Sequence, residues 1–198
     1  KVPGGAGLLG NNIRDLAYER TAYGHELWIA TDSGLTVAAF DIDGISAATT
    51  YTTSNSGIIS NDIRAVGVDA CHNRWAATPI GLSVYQGPAW SDTNQFMGED
   101  SHEFYLDWGD LLVNGMDSYE KDSMIYLATN SAGVLRFSHH PVDGITGASP
   151  FAGSWSPLCN TVNSITVRDT IQWYGTPEGA YMHLGSIVKS YWIYYPAD

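Results

Sequence analysis

Apolar and polar positions alternate along this chain in short runs, each broken by Gly, Pro, Asn or Asp. Residues 63–68, Ile-Arg-Ala-Val-Gly-Val, alternate in this way and read as an inner strand. Arg74 to Thr78 follows as a second strand, Pro79-Ile80-Gly81 as a turn, and Leu82 to Tyr85 as a third strand. Ala47 to Thr53 is written in β-branched and aromatic residues and reads as an outer strand. No long segment carries apolar residues at i, i+3, i+4 and i+7, so helices are not expected. No apolar run approaches the roughly 18 residues needed to span a bilayer.

The strand signals recur. An aromatic, two residues, a threonine and then a glycine appear four times, at Trp28/Thr31/Gly34, Trp75/Thr78/Gly81, Tyr126/Thr129/Gly133 and Trp173/Thr176/Gly179. The threonines are spaced by 47, 51 and 47 residues. Upstream of each lies a second shared element: Asn-Asn-Ile-Arg at 11–14, Asn-Asp-Ile-Arg at 61–64, Asn-Gly-Met-Asp at 114–117 and Asn-Thr-Val-Asn at 160–163. A longer period is superimposed. Thr31 and Thr129 are 98 residues apart, as are Thr78 and Thr176. Residues 42–46, Ile-Asp-Gly-Ile-Ser, return as Val-Asp-Gly-Ile-Thr at 142–146.

A unit of this size makes one small sheet that cannot bury both of its faces, and stacking such sheets around an axis solves the problem. The expected fold is therefore all-β. It is a single-domain β-propeller over residues 1–198, with four blades of about 48 residues and a pseudo-twofold repeat of blade pairs. Closure would bring the N-terminal segment beside the fourth blade. Trp28, Trp75, Tyr126 and Trp173 are expected to fill the space between blades. Thr31, Thr78, Thr129 and Thr176 are expected to set the hairpins with the glycines that follow.

Charge narrows the partners. Twenty-one acidic residues stand against nine Lys and Arg, a net charge of −12. Such a surface repels phosphate backbones and anionic lipid, so nucleic acid is not an expected partner. The chain starts at Lys1, which fits a processed, secreted protein.

The segment Asn61-Asp-Ile-Arg-Ala-Val-Gly-Val-Asp69, then Asn73-Arg-Trp75-Ala-Ala-Thr78 and Gly81-Leu-Ser-Val-Tyr85, resembles the two-component regulator propeller repeat. The first unit matches nearly as well, through Asn12-Ile-Arg-Asp-Leu16, Leu27-Trp-Ile-Ala-Thr31 and Gly34-Leu-Thr36. The third and fourth units keep the aromatic, Thr and Gly and lose the rest. The resemblance implies a β-propeller in a bacterial extracellular or periplasmic setting. It implies no chemistry, because the repeat motif is structural.

Catalytic signatures are missing from the sequence, and no enzymatic activity is expected: there is no Gly-x-Ser-x-Gly, His-Glu-x-x-His, phosphate loop or dinucleotide fingerprint. Asp41 and Asp43 resemble the opening of a calcium loop but lack its later ligands, and Asp-Gly is first a turn signal. No cofactor is expected, with Ca2+ at that turn as the minor alternative. His139-His140 and the acidic stretch 99–103 are read as solvated, with metal binding the minor reading.

Cys71 falls in a turn of the second blade and Cys159 just before the fourth. By strand counting they occupy opposite faces and opposite blades, too far apart for an intramolecular bridge. Two free, buried thiols are one reading; a disulfide between neighbouring copies is the other. The chain ends in an aromatic strand, with Tyr191, Trp192, Tyr194 and Tyr195 as candidate interface residues. The function expected is a non-enzymatic extracellular structural or interaction module that associates with itself. The alternative is a carbohydrate-binding or sensor-type module, stacking glycans on residues such as Trp90 and Trp108.

Overall fold

The structure is a computed structural model that describes residues 7–85, 90–92, 111–118, 124–140, 144–150, 161–184 and 187–191. These residues form four antiparallel sheets of four strands, each a simple meander in chain order. Sheet 1 holds β1 (Ile13–Thr21), β2 (Gly24–Thr31), β3 (Gly34–Asp41) and β4 (Gly44–Tyr51). Sheet 2 holds β5 (Ala65–Val68), β6 (Arg74–Thr78), β7 (Gly81–Tyr85) and β8 (Trp90–Asp92). Sheet 3 holds β9 (Val113–Ser118), β10 (Met124–Thr129), β11 (Val134–His140) and β12 (Gly144–Pro150). Sheet 4 holds β13 (Ser164–Arg168), β14 (Ile171–Thr176), β15 (Gly179–Leu184) and β16 (Ile187–Tyr191). No helix among the described residues is long and apolar enough to cross a membrane.

The sheets stack through their first strands, β1 against β5, β5 against β9 and β9 against β13. Three apolar layers result. Trp28, Ala30, Leu35 and Val37 of sheet 1 meet Val66 and Ala76 of sheet 2. Trp75, Leu82 and Val84 of sheet 2 meet Met116, Ile125, Leu127 and Phe137 of sheet 3. Tyr126, Ala128 and Val134 of sheet 3 meet Val167, Tyr174 and Tyr181 of sheet 4. Sheets 1 to 3 thus each turn their repeat aromatic toward the next sheet, and the period-two alternation of side-chain direction supplies both inner faces.

Among the described residues no comparable packing joins sheet 4 to sheet 1. The sequence predicts a closed ring of four; the described residues show four sheets in succession with propeller-like packing and do not include a closing contact. The segment 1–6, expected beside the fourth blade, lies outside the described residues.

The hairpin role of the threonines has a repeated geometry. The Oγ1 of Thr31, Thr78, Thr129 and Thr176 donates to the carbonyl of Gly34, Gly81, Gly133 and Gly179 at 2.7, 2.8, 2.8 and 2.9 Å. A turn N–H, from Ser33, Ile80, Ala132 or Glu178, donates back to the same hydroxyl. Threonine suits the position because one hydroxyl both donates and accepts. Glycine is required at Gly34, where φ is +140° and a Cβ would lie 2.7 Å from the Tyr51 carbonyl.

The third unit departs from the motif match. Val113 pairs with Thr129 as Ile13 pairs with Thr31, and Met116 pairs with Leu127 as Leu16 pairs with Ile29. Met116 is therefore the counterpart of Leu16 and not of Ile13. Both β1 and β9 carry a register shift near their starts, which a gap-free motif cannot show.

Candidate functional site

Three of the four repeat aromatics are buried: Trp28, Trp75 and Tyr126. Trp173, the fourth, is 38% exposed. Its side chain lies on the face of sheet 4 turned away from sheet 3. The neighbouring Tyr174 points the other way, into the layer shared with sheet 3. Burial raises the Tyr174 phenol well above its usual range, and its hydroxyl is bonded to Gln172 Oε1.

Cys71 is a free, exposed thiol in the β5–β6 turn, which corrects its reading as buried. Cys159, Trp192, Tyr194, Tyr195 and Trp108 lie outside the described residues, as does the acidic stretch 99–103. Tyr191 closes β16, the outermost strand of sheet 4, opposite Ala180. Trp90 pairs with Tyr85 at the start of β8. At the candidate calcium turn, Asp41 Oδ1 accepts the Asp43 N–H at 2.8 Å, the geometry of an Asx turn.

Inner-strand carboxyls join the sheets. Asp15 Oδ2 on β1 accepts the Val66 N–H of β5 at 3.0 Å. Asp117 Oδ2 on β9 accepts the Val167 N–H of β13 at 2.8 Å. Between these two junctions the chemistry differs, and Ser118 Oγ donates to the Val68 carbonyl. The first and third junctions thus each use a carboxylate and the second a hydroxyl, although the two carboxylates are not register counterparts: Asp15 pairs with Ala30, and Asp117 pairs with Tyr126. Burial holds the Asp15 carboxyl above its ordinary value of 3.8; N–H donation from Val66 and Leu16 pulls it down, and the Asp117 charge adds to the rise. A raised acid favours its protonated form in the fold. Its stabilising contribution is complete below 3.8 and is lost as pH rises through the folded value. Asp15→Asn keeps an acceptor for Val66 and cannot ionise. We expect this variant to gain on the wild type as pH rises from about 3.8 toward neutrality, measured by urea unfolding at a series of pH values. A difference that stays flat with pH would show that Asp15 ionisation is not coupled to folding.

The richest polar cluster sits at the outer margin of the first junction. Glu19 of β1, only 5% exposed, accepts Arg74 Nε at 2.7 Å and meets His72 Nδ1 at 2.8 Å. Arg74 lies 5.5 Å over the Trp28 ring, and its Nη2 is 3.6 Å from Glu26 Oε2. Glu26 Oε2 also accepts Trp28 Nε1 at 3.2 Å. Arg74 therefore clasps sheet 2 to sheet 1 through a desolvated carboxylate and an aromatic face. Beside it, Trp28, Tyr51 and Tyr85 form a ring cluster with centroids 5.7 to 6.1 Å apart. Burial pushes the Tyr51 phenol up to about 12, and Tyr85 adds to the rise.

Two clefts flank the Arg74–Glu26 pair. One, of about 270 Å3, is bounded by Tyr51, Tyr85, Trp28 and Thr49. The other, of about 500 Å3, is bounded by Tyr23, His25, Phe40, Asp41 and His72. Sequence reading missed this place because Glu19, Glu26 and Arg74 belong to different strands and no motif links them. The one available signal was Arg74 directly before a repeat tryptophan. Among the described residues no group of three His, Cys, Asp or Glu side chains is placed to hold a metal.

No family model and no curated protein matches the chain. Solved structures do match. The extracellular domain of a hybrid two-component system of B. thetaiotaomicron superposes with a TM-score of 0.60 at 16% identity, over 93% of this chain and 22% of that one. A second such domain from the same organism gives 0.60 at 20% identity, over 93% and 25%. The Swd1 β-propeller domain of Myceliophteria thermophila gives 0.54 at 12% identity, over 93% and 56%. Likeness at this identity defines the class of fold: an all-β assembly of propeller type. The chain spans about a quarter or less of the two bacterial domains.

Proposed function

We propose that this chain is a non-enzymatic, extracellular propeller module that works by recognition, with the cleft at the first sheet junction as its ligand site. The observation that carries this reading is the pairing there of aromatic faces with a fixed carboxylate–guanidinium couple. Half-buried Tyr51 and Tyr85 offer ring faces to an apolar C–H surface, while Glu26 and Arg74 offer an acceptor and donors to hydroxyl groups. That combination suits a neutral, polyhydroxylated ligand such as an oligosaccharide. The bacterial domains of similar fold, which belong to two-component systems outside the membrane, support the extracellular setting and a sensor-type role.

Isothermal titration with a panel of neutral oligosaccharides tests this reading. We expect at least one to bind, binding to fall at least tenfold in Tyr85→Ala with the circular dichroism spectrum retained, and no new reducing ends to appear on incubation. Release of reducing ends, or no binding across the panel, would overturn it.

Self-association is the second property we assign. The exposed Cys71 thiol supports it, being accessible to a neighbouring copy.

A further inference from the structure

The cleft beside Tyr51 and Tyr85 is small for a ligand site. At about 270 Å3 it falls below the roughly 300–1,000 Å3 that such sites usually enclose. It does not end at Arg74, however. Glu26, Ala39 and Arg74 bound it and also bound the second cleft, of about 500 Å3.

Strand register shows that the two clefts follow one another along sheet 1. Side chains on one face of a sheet recur every second residue. Leu35 pairs with both Ala30 and Tyr51, which sets the level of the first cleft's tyrosine end. Trp28, Val37 and Thr49 form the next cross-strand row on that face, and Glu26, Ala39 and Ala47 the row after it. From that row the second cleft continues past Asp41 to Thr21 and Gly24, which pair at the turn between β1 and β2. Ala30, level with Tyr51, and Gly24 stand six residues apart on β2, about 20 Å at the rise of an antiparallel strand.

Suitable chemistry continues along the same line. Tyr51 and Tyr85 occupy one end. In the middle, Arg74 Nη2 and Glu26 Oε2 are 3.6 Å apart. That separation is too long for a hydrogen bond, and a ligand hydroxyl can accept from the guanidinium while donating to the carboxylate. Beyond this pair lie Asp41 and His72, both exposed. His72 bonds Glu19 through Nδ1, so Nε2 is its group available to a ligand. Tyr23, 100% exposed in the β1–β2 turn, adds a ring face at the far end.

We propose that the two clefts are one groove, and that its ligand is a linear neutral oligosaccharide longer than a disaccharide, lying along sheet 1 from Tyr51 to the β1–β2 turn. Inner sugar units meet the Arg74–Glu26 pair, and outer units stack on Tyr51 and Tyr85 at one end and on Tyr23 at the other. The assignment rests on the first cleft being a ligand site, and adds the length and direction of what is held there.

Isothermal titration of the 198-residue chain with cello-, xylo-, malto- and laminari-oligosaccharides, each as the two-unit and the six-unit chain, tests the proposal. In at least one series the six-unit chain is expected to bind at least tenfold more tightly than the two-unit chain. That is more than the five registers a two-unit site finds on six units would supply. Tyr23→Ala changes a fully exposed turn residue and is expected to fold, as circular dichroism will show. It should lower the affinity for the six-unit chain at least fivefold, and that for the two-unit chain by less. Tyr85→Ala should weaken both alike. Equal affinity for the two lengths, in a series that binds, overturns the single groove and leaves the first cleft as the ligand site. So does a folded Tyr23→Ala that binds the six-unit chain like the wild type. Absence of binding in every series overturns the ligand reading of the first cleft and the longer groove with it.

Discussion

Replacing Trp75 by Ala is expected to destabilise the fold by roughly 3–5 kcal/mol, the range for deleting a large buried aromatic. Trp75 is fully buried between sheets 2 and 3, among Leu82, Val84, Met116 and Ile125. Its indole N–H also donates to Asp69 Oδ2 at 2.9 Å. The loss is a large share of the typical total of about 5–15 kcal/mol. Trp173→Ala is the internal control. It alters the same repeat position where the side chain is part-exposed rather than enclosed, so a clearly smaller loss is expected. Urea unfolding of both variants checks the contrast. Equal losses would mean that Trp173 is buried in solution.

Asp69→Ala is expected to be nearly as damaging, by about 3 kcal/mol or more. One buried carboxyl gathers the turn between β5 and β6. Its Oδ1 accepts the N–H groups of Cys71 and Asn73, both at 2.9 Å. Its Oδ2 accepts Asn73 Nδ2 at 2.8 Å and Trp75 Nε1. A buried donor left without its acceptor costs roughly 1–3 kcal/mol, and three of the four donors belong to buried residues. The turn also holds His72 at a φ of +61°, a conformation that this network keeps in place. Asp69→Asn retains one acceptor oxygen and should cost about half as much. Thermal unfolding of both variants provides the measurement, and an Asn variant as weak as Ala would show that both oxygens are indispensable.

These two residues show how differently the parts of the molecule were legible. Trp75 was visible in the sequence because its role repeats. Asp69 was visible only as a residue of the motif that resembles the two-component regulator propeller repeat, with nothing to say that its carboxyl would organise a turn. The Glu19–Arg74–Glu26 clasp was not visible at all. Its members come from β1, β2 and β6, and only the stacking of sheets 1 and 2 makes them neighbours.

Strand periodicity and turn chemistry are local properties, so the sequence by itself determined the meandering sheets, the Thr–Gly hairpins and the pairing of units. Successive side chains point to opposite faces, so continuous apolar runs such as Trp75-Ala76-Ala77 make both faces of a sheet apolar, which dictates stacking. How many sheets close a ring is not a local property. It depends on the angle accumulated from sheet to sheet, which the packing of whole faces sets and no single residue encodes. Only the tertiary structure therefore decided that the described sheets form a succession, that Trp75 is enclosed while Trp173 is part-exposed, and that Leu16 stands exposed where Met116 is covered.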